Sequence, residues 1–590
     1  MSFTALQAAW AEWLLEGFIA AGVRRVVVSP GSRSTPLVLA IARAETAGRL
    51  DAAVVVDERA AAFHALGAAR ATGVPTLLVC TSGTAGAHYL PAVVEASEAR
   101  IPLLVLTADR PFELRGRGAP QTIEQSGMFG RFVRRTFELG SAESDPRAVD
   151  GLLRTGILAT HAARWPDPGP VHVNAAFRKP LEPVGASHPD VDALSRRVNE
   201  ALAAGLGAPD VPVAQPSSSA LDGVAERLRA AGRGLIVLGP CEPAAAPSAE
   251  AVSALARSTG FPVLAEATSQ HRFGAAGFPT ALDVSEPLFG SPRFLERLAP
   301  DLVLQVGGAP TGRALGAWIA RSGVERIVLA RHGVPEAFNQ AARIVVADLE
   351  PALEGLADRL SAPVGVDTDW REAIERAVGH ARALADEAAG REGSQGEAVR
   401  AAVEAIPEGG LLMVGNSMPV RDVDLYVPAE ARSMTVLSQR GAAGIDGLIA
   451  GAAGAAAATG SPTLLLLGDV SFQHDVGGLA AASRCEAPLA IVVVGNGGGR
   501  LFELLPLRSL PDVGPTFERY FLTPPGVDSV LAAQAFGVRG LAVTGGTAAR
   551  EALRSALAAP GATVIEVRVD PHGADETRRL EAEMDAWPGD

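Results

Sequence analysis

Two short polar segments, each directly after an apolar run, are the strongest candidates for chemistry in this sequence. Residues 464–467 are all leucine and precede Gly468-Asp469-Val470-Ser471, and residues 491–494 (IVVV) precede Gly495-Asn496-Gly497-Gly498-Gly499. Apolar runs too short for a helix and ending in glycine are typical of buried parallel strands. Because the carboxyl ends of such strands form the ligand crevice, we expect Asp469 and Asn496 side by side.

These residue types suit a hard cation. An aspartate carboxylate, an asparagine amide oxygen and a glycine carbonyl are ligands that magnesium or calcium accepts, and such an ion can also hold a diphosphate. The structural alternative is that Asp469 caps a helix and that the glycines only turn the chain. The spacing of the two segments alone leaves both interpretations open.

Length and composition limit the class of protein. With 590 residues, 48% of them hydrophobic, the chain is expected to form about three to four domains with real cores. A net charge of −14 argues against nucleic acid and anionic membranes as partners, so an anion site must come from local arginines. Cys80, Cys241 and Cys485 lie far apart and form no metal or redox motif, which fits a reducing cytoplasm.

Two segments raise the question of targeting or membrane insertion. Residues 1–22 carry acidic residues in an amphipathic pattern and lack the basic start of a signal peptide. Residues 447–468 carry no charge and are long enough to span a membrane, but Thr459-Gly460-Ser461-Pro462 divides them into an alanine-rich helix and a strand. We therefore expect a cytoplasmic protein without a membrane span.

Alternating strand and helix patterns predict three doubly wound α/β domains with mainly parallel sheets. We expect strands at residues 26–29, 53–56, 76–80, 103–107 and 171–174, and then at 235–238, 263–266, 302–306, 327–329 and 344–346. The expected domains are residues 1–184, 221–360 and 370–590. The segments between them, 185–220 and 361–369, are linkers by composition, and parts of the first have a helical pattern.

Three loops of the first region follow predicted strands and precede helices. Pro30-Gly31-Ser32-Arg33-Ser34 offers backbone donors and an arginine to an anion. Glu58 begins a helix. On the residues alone, the preferred explanation for this glutamate is structural: a carboxylate in the first turn is stabilised by the helix dipole. Thr81-Ser82-Gly83-Thr84-Ala85-Gly86 is a tight turn whose glycines allow the backbone to approach a ligand closely.

Together these segments resemble thiamine-diphosphate-dependent enzymes. The segment from Asp469 to Asn496 is similar to their diphosphate-binding motif, although Val470 and Gly495 replace the usual glycine and asparagine. Glu58 and the turn at residues 81–86 are similar to their pyrimidine-binding domain. The expected order also agrees: a pyrimidine-binding (PYR) domain at 1–184, a middle domain at 221–360 and a diphosphate-binding (PP) domain at 370–590.

Longer motifs resemble one family within that superfamily, the 2-succinyl-5-enolpyruvyl-6-hydroxy-3-cyclohexene-1-carboxylate synthases (MenD). The motifs are PGSRSTPL at 30–37, TADRP at 107–111, GNS at 415–417 with Arg421, RGAAGIDG at 440–447 and LFELLP at 501–506. The resemblance spans almost the whole chain and is weak over residues 185–300. It implies a thiamine-diphosphate-dependent transferase that decarboxylates 2-oxoglutarate and adds the succinyl carbanion equivalent to isochorismate by 1,4-addition, in menaquinone biosynthesis.

The resemblance also implies the site residues. Glu58 would hydrogen-bond the pyrimidine ring of the cofactor and act as the catalytic carboxylate. Asp469, Asn496 and the carbonyl of Gly498 would hold Mg²⁺ or Mn²⁺. The implied cofactor contacts are Glu58, Ser82, Gly83, Gly468, Asp469, Val470, Ser471, Asn496, Gly498, Leu501, Phe502 and Leu505. The active sites would lie between the subunits of a homodimer or homotetramer.

Substrate recognition would fall mainly on arginines, because both substrates are dicarboxylates. Ser32, Arg33, Arg110 and Gln121 are assigned mainly to isochorismate, Ser417, Arg421 and Arg440 mainly to 2-oxoglutarate, and Arg313 to the middle domain. Taken singly, each arginine is equally consistent with a structural ion pair. Pro120 and Ala314 depart from the asparagine and the second basic residue usual in the family, so the contacts of those two loops are open.

Other interpretations make distinguishable demands. Another thiamine-diphosphate-dependent 2-oxoacid decarboxylase or carboligase would need a smaller, less cationic site. A non-catalytic homologue is disfavoured because Glu58, Asp469 and Asn496 are all present. A nicotinamide oxidoreductase would need a Gly-x-Gly-x-x-Gly loop with a downstream acid in the right context, which this sequence lacks. The middle domain also carries no flavin or nucleotide fingerprint, so we expect no flavin.

Overall fold

A computed structural model describes residues 3–183, 189–274, 278, 280–360, 365–510 and 512–589 of the chain. Its strands form three six-stranded sheets. The first contains β1 (Arg25–Ser29), β2 (Asp51–Val54), β3 (Thr76–Cys80), β4 (Leu103–Asp109), β5 (Arg135–Leu139) and β6 (Pro170–Ala176). The second contains β7 (Gly234–Leu238), β8 (Val263–Ala265), β9 (Ala281–Leu282), β10 (Leu302–Val306), β11 (Glu325–Ala330) and β12 (Arg343–Val346). The third contains β13 (Gly410–Val414), β14 (Met434–Ser438), β15 (Thr463–Gly468), β16 (Leu489–Gly495), β17 (Arg539–Thr544) and β18 (Ala562–Arg568).

The strand orders confirm the doubly wound α/β fold. The first sheet runs β2-β1-β3-β4-β6-β5, and the third repeats this order as β14-β13-β15-β16-β18-β17. The middle sheet differs, with the order β12-β11-β10-β7-β8-β9 of a dinucleotide-binding fold. All strand pairs within the described residues are parallel. The first and third sheets therefore share one topology, and the sheet that lies between them in the sequence has a different one.

Helices connect most of the strands. They are α1 (Phe3–Ala20), α2 (Thr35–Thr46), α3 (Glu58–Thr72), α4 (Thr84–Ala87), α5 (Leu90–Ala99), α6 (Pro146–Arg164), α7 (Pro189–Ala203), α8 (Ser218–Ala230), α9 (Ala249–Thr259), α10 (Glu286–Gly290), α11 (Pro292–Leu298), α12 (Arg313–Ser322), α13 (Leu349–Arg359), α14 (Thr368–Ala389), α15 (Gln395–Glu404), α16 (Met418–Tyr426), α17 (Leu448–Thr459), α18 (Asp469–His474), α19 (Leu479–Ala482), α20 (Gly514–Phe517), α21 (Ser529–Ala535), α22 (Gly546–Leu557) and α23 (Gly573–Ala586). As expected, residues 447–468 form a helix and a strand. Among the described residues, no helix is both long and apolar enough to cross a membrane.

The central strands are buried on both faces, which explains their nearly continuous apolar runs. In β1, Val26 and Val28 belong to one hydrophobic cluster and Val27 belongs to another on the opposite face. Leu77 and Leu78 of β3 divide in the same way. This is the two-residue period of a strand, with helices supplying an apolar surface to each side of the sheet.

The chain separates into two compact units. The first comprises residues 1–212, 439–460 and 475–485, so it combines the first sheet with α17 and α19. The second comprises residues 213–438, 461–474 and 486–590 and contains the second and third sheets. Each expected domain, 1–184, 221–360 and 370–590, encloses one sheet, and its limits stay predictions. The expected linker 185–220 includes α7, and α14 begins inside the linker 361–369.

In the first two sheets the predicted strands differ from the structure at the sheet edges. The strand expected at 53–56 is β2 at Asp51–Val54, and β5 and β9 were not expected; in the third sheet only β15 and β16 were predicted. β5 and β9 each lie at the edge of their sheet. β5 is only partly buried, so its sequence RTFEL lacks the apolar run that identifies a central strand.

Candidate active site

The loop after β1 places Arg33 in the interior of the first unit. Arg33 is 2% exposed, and its Nη1 donates to the backbone carbonyl of Phe177 at 2.5 Å. Its backbone NH donates to Thr81 Oγ1 at 3.3 Å. A Cβ on Gly31 would lie 2.6 Å from the Thr81 side chain, so glycine lets the two loops meet. Ser32, at the same turn, is exposed.

The turn after β3 lies against the loop that carries Gln121. Ser82 Oγ donates to the Gln121 carbonyl at 3.2 Å, and Gln121 Nε2 donates back to the Ser82 carbonyl at 3.0 Å. Arg110 Nη2 donates to the Pro120 carbonyl at 3.2 Å. The structure thus brings Ser82, Arg110 and Gln121 together, and Pro120 takes part through its carbonyl oxygen.

A buried acid that the sequence argument did not select supports this cluster. Asp109 is fully buried at the end of β4, pairs with Arg115 at 2.7 Å and accepts from Asn174 Nδ2 at 2.8 Å and from the Arg110 amide at 2.6 Å. Burial raises the pKa of its carboxyl group, and these donors act in the opposite direction. The sequence feature that could have identified Asp109 is its position in the TADRP motif at 107–111.

Glu58 is the first residue of α3 and is half-buried. The cap of this helix is Asp57, whose Oδ1 accepts from the Arg59 amide at 3.0 Å. Glu58 therefore occupies a first-turn position, where the helix dipole favours a carboxylate, without serving as the cap. Both explanations offered for Glu58 remain compatible with this placement.

The position of α3 is set by close packing against α17, both within the first unit. A Cβ on Gly67 would lie 1.9 Å from the Gly451 carbonyl oxygen, and a Cβ on Gly454 would lie 1.9 Å from that of His64. The two backbones thus touch at two points. Asp475 holds the start of α17, because its Oδ2 accepts from the amide of Ile449 at 2.7 Å. Burial raises the pKa of Asp475 to about 7.

The backbone directly after Arg440 is held by a buried ion pair from a distant part of the sequence. Glu95 Oε1 pairs with Arg70 Nη2 at 2.8 Å, and the two side chains are 5% and 1% exposed. The same carboxylate accepts from the amides of Gly441 at 3.1 Å and Ala442 at 2.7 Å. Glu95 thereby fixes the backbone directly after Arg440, a role that its place in an apolar helix did not reveal.

In the second unit, the ends of β15 and β16 bring together the two segments on which the sequence argument began. The strands pair in parallel with Gly468 opposite Val494. Asp469 Oδ2 accepts from the amides of Gly497 at 2.8 Å and Gly498 at 3.1 Å. Burial raises the pKa of Asp469, and these amides oppose that change. A Cβ on Gly498 would lie 2.3 Å from the Leu522 carbonyl oxygen, so this turn requires glycine.

The donor atoms at this edge fit a divalent cation. Asn496 Nδ2 donates to Gln395 Oε1 at 3.1 Å, while the buried Asn496 Oδ1 accepts no hydrogen bond from the described residues. A buried amide oxygen without a donor is costly unless a ligand supplies one. No cluster of three His, Cys, Asp or Glu side chains with metal-binding geometry occurs in the described ranges. The candidate site therefore rests on one carboxylate, one amide oxygen and one backbone carbonyl.

Ser417 and Arg421 lie together at the start of α16. Ser417 has φ 72° and ψ −124°, an uncommon conformation for a residue with a side chain. Arg421 Nη1 donates to the Ser417 carbonyl at 2.6 Å, and its Nε is buried without a partner among the described residues. This arrangement leaves the Nε of the half-buried Arg421 available to an anion.

The remaining predicted contacts differ in how available they are. Arg313 Nε pairs with Glu286 at 2.9 Å, and its Nη2 pairs with Glu581, so two carboxylates already hold it. Phe502 and Leu505 are 38% and 45% exposed. Leu501 is half-buried, and Ser471 is buried. Exposed apolar side chains beside a buried polar site are typical of a surface that a ligand covers.

Comparisons with known proteins agree with this architecture. Residues 9–128 match the family described as thiamine pyrophosphate enzyme, N-terminal TPP binding domain, and residues 424–567 match the corresponding C-terminal TPP binding domain. Curated 2-succinyl-5-enolpyruvyl-6-hydroxy-3-cyclohexene-1-carboxylate synthases are similar over nearly the whole chain. That of Sorangium cellulosum is 43% identical (98% of this chain, 95% of the relative), and that of Myxococcus xanthus 40% (99% and 98%).

A solved structure supports the fold alone. The X-ray structure of an assumed thiamin diphosphate-dependent enzyme from Mycobacterium smegmatis superimposes with a TM-score of 0.66 and 20% identity. It covers 93% of this chain and 97% of its own.

Proposed function

This chain belongs to the 2-succinyl-5-enolpyruvyl-6-hydroxy-3-cyclohexene-1-carboxylate synthase family of thiamine-diphosphate-dependent enzymes, and we propose that it catalyses the reaction of that family. It decarboxylates 2-oxoglutarate and adds the succinyl group to isochorismate by 1,4-addition, releasing CO₂, as a transferase of menaquinone biosynthesis. When bound, thiamine diphosphate supplies the nucleophilic carbon and the electron sink for decarboxylation.

The observation that carries the proposal is the buried, unpartnered Asn496 Oδ1 at the strand end next to Asp469. Together with the Gly498 carbonyl, these oxygens would hold Mg²⁺ or Mn²⁺ on the diphosphate. Gly468, Val470 and Ser471 would approach the diphosphate from the same strand end. The exposed Phe502 and Leu505, with Leu501, would cover the cofactor.

Glu58 would act at the other end of the cofactor. Its carboxyl group would hydrogen-bond a ring nitrogen of the pyrimidine and hold a proton there. Ser82 and Gly83 would line the same part of the site. The close packing of α3 on α17 supports this role, because a catalytic carboxylate needs a rigid support.

The arginines would bind the carboxylates of both substrates through charge-assisted hydrogen bonds. Ser32, Arg33, Arg110 and Gln121 are proposed for isochorismate. Ser417, Arg421 and Arg440 are proposed for 2-oxoglutarate, and the unpartnered Arg421 Nε supports that choice. Arg313 would have to exchange Glu286 or Glu581 for a substrate carboxylate.

We also propose a cytoplasmic homodimer or homotetramer in which each active site lies between subunits. The two recognised cofactor domains lie at opposite ends of the chain, residues 9–128 and 424–567. In this superfamily the two halves of a site come from different subunits. Small molecules are the proposed ligands, since the charge of −14 disfavours nucleic acid.

The test is turnover of 2-oxoglutarate and isochorismate by the purified chain with thiamine diphosphate and Mg²⁺. Wild type should form product only when both substrates are present. Glu58→Gln should lower kcat on the order of 10²-fold or more, because it removes a carboxylate used in proton transfer. Glu98→Gln, exposed on α5, is the matched control and should retain wild-type turnover.

Two outcomes would contradict the proposal. Release of CO₂ from 2-oxoglutarate without consumption of isochorismate would favour the alternative of a 2-oxoacid decarboxylase or another carboligase. Full activity of Glu58→Gln would remove this residue from the mechanism.

A further inference from the structure

The direction in which the Asn496 amide faces is decided by residues outside the predicted site. An asparagine can present either its oxygen or its NH₂ group to a ligand, and only the oxygen can bind a metal ion. Asn496 turns its Nδ2 to Gln395 Oε1 at 3.1 Å, which leaves Oδ1 on the opposite side. The orientation of Asn496 therefore depends on the orientation of Gln395.

Gln395 is itself oriented by a buried acid. It is the first residue of α15, is 5% exposed, and donates from Nε2 to Asp422 Oδ2 at 2.5 Å. Asp422 lies in α16 and is 3% exposed. A Cβ on Gly573, at the start of α23, would lie 2.9 Å from Gln395 Oε1, so the backbone there confines the glutamine side chain. Gln395 has little room to turn.

The carboxylate of Asp422 fixes the direction of both hydrogen bonds in this series. An ionised carboxylate only accepts hydrogen bonds, so Gln395 must present its NH₂ group to Asp422 and its oxygen to Asn496. Asn496 must then donate to Gln395 and keep its own oxygen free. We infer that Gln395 and Asp422 are positioning residues that hold Asn496 in its metal-binding orientation.

This inference rests on the proposed function, in which Asn496 binds Mg²⁺ together with Asp469. Burial raises the pKa of Asp422 to about 7, while Gln395 and Arg421 act in the opposite direction. Measurements at about pH 8 therefore observe the carboxylate form.

The test is Mg²⁺ titrated into the full chain with saturating thiamine diphosphate, followed by calorimetry at about pH 8. Asp422→Asn keeps the shape of the side chain but can also donate, so Gln395 and Asn496 lose their fixed direction. We expect Mg²⁺ affinity to fall about tenfold or more, as for other partners of metal ligands. Gln395→Met, which removes both hydrogen bonds at similar length, should weaken Mg²⁺ binding to a similar extent.

Asp424→Asn is the matched control. Asp424 lies in the same helix, is 9% exposed and accepts from the Ala267 amide at 2.6 Å rather than from Gln395. This variant should keep wild-type Mg²⁺ affinity. An equal loss in Asp424→Asn, or an Asp422→Asn affinity within about twofold of wild type, would overturn the inference.

A rescue variant separates orientation from general damage. In Asn496→Asp both oxygens are equivalent, so no partner is needed to choose between them, but one of them faces Gln395 Oε1 without a hydrogen. Adding Asp422→Asn lets Gln395 turn its NH₂ group to residue 496, so the second change should not lower Mg²⁺ affinity further, and additive losses would overturn the inference. If wild type itself binds no Mg²⁺ with thiamine diphosphate, the proposed cofactor site fails, and the inference fails with it. If wild type binds Mg²⁺ and Asp422→Asn binds it equally well, only the inference about Gln395 and Asp422 fails.

Discussion

Replacing Gly454 with alanine should remove most of the activity without changing any residue of the proposed site. In the native packing a Cβ at this position would lie 1.9 Å from the carbonyl oxygen of His64 in α3 and 2.7 Å from its carbonyl carbon. Ordinary contacts between heavy atoms begin at about 3.5 Å. The two helices must therefore separate locally by roughly 1.5 Å, since backbone atoms cannot move aside as a side chain does.

The consequence for catalysis follows from the position of Glu58 at the start of α3. Misplacement of a catalytic group by about 1 Å can cost on the order of 10²-fold in rate. Overpacking of this kind also destabilises a protein by about 1–3 kcal/mol. We therefore expect kcat of Gly454→Ala to fall about 10²-fold and the thermal unfolding midpoint to fall as well.

The assay is steady-state kcat with both substrates, together with the unfolding midpoint. Gly379→Ala is the matched control, because Gly379 lies on the exposed side of α14 and a Cβ there meets nothing within 4 Å. It should keep full activity and gain about 1 kcal/mol in helix propensity. If Gly454→Ala kept both kcat and midpoint within error of wild type, the close packing of α3 on α17 would not position Glu58.

The remaining predictions concern buried charge. Glu95→Gln should destabilise the protein by about 3–5 kcal/mol, because it leaves the buried Arg70 without its carboxylate; Glu98→Gln on the same helix should not lower the midpoint. His64→Leu should reduce the loss of unfolding free energy that occurs when the pH falls below about 6.5. Burial lowers the folded-state pKa of His64 to about 4, below its unfolded value of 6.5, so its contribution is complete above pH 6.5 and is lost as pH falls. Wild type should thus lose about 2 kcal/mol of unfolding free energy between pH 7 and pH 5 that His64→Leu retains, whereas His88→Leu, an exposed histidine, should follow wild type.

Much of the fold and part of the candidate site could be predicted because they depend on local patterns. Central parallel strands are buried on both faces, so they appear as short apolar runs, and β15 and β16 were identifiable for that reason. Parallel strands also bring their carboxyl ends to one edge. The proximity of Asp469 to the Asn496 segment therefore followed from the sequence once both strands were recognised.

Edge strands and buried polar partners were not predictable in the same way. β5 is only partly buried and so lacks an apolar run. Glu95 contacts the amide of Gly441, which lies 346 positions away, and Gln395 contacts Asn496, which lies 101 positions away. Nothing in the neighbouring sequence of Glu95 or Gln395 distinguishes such a residue from an ordinary helical one.

The sequence by itself determined the class of fold, the family and the types of side chain that the chemistry needs. Only the tertiary structure decided which side chains are fixed and in which direction. Arg313 already has two carboxylate partners, and Asn496 keeps its Oδ1 free of hydrogen bonds because its Nδ2 donates to Gln395, which in turn donates to Asp422. The reason is physical: an apolar pattern reports burial, which has no direction, whereas a hydrogen bond requires a donor and an acceptor to meet at one distance and angle.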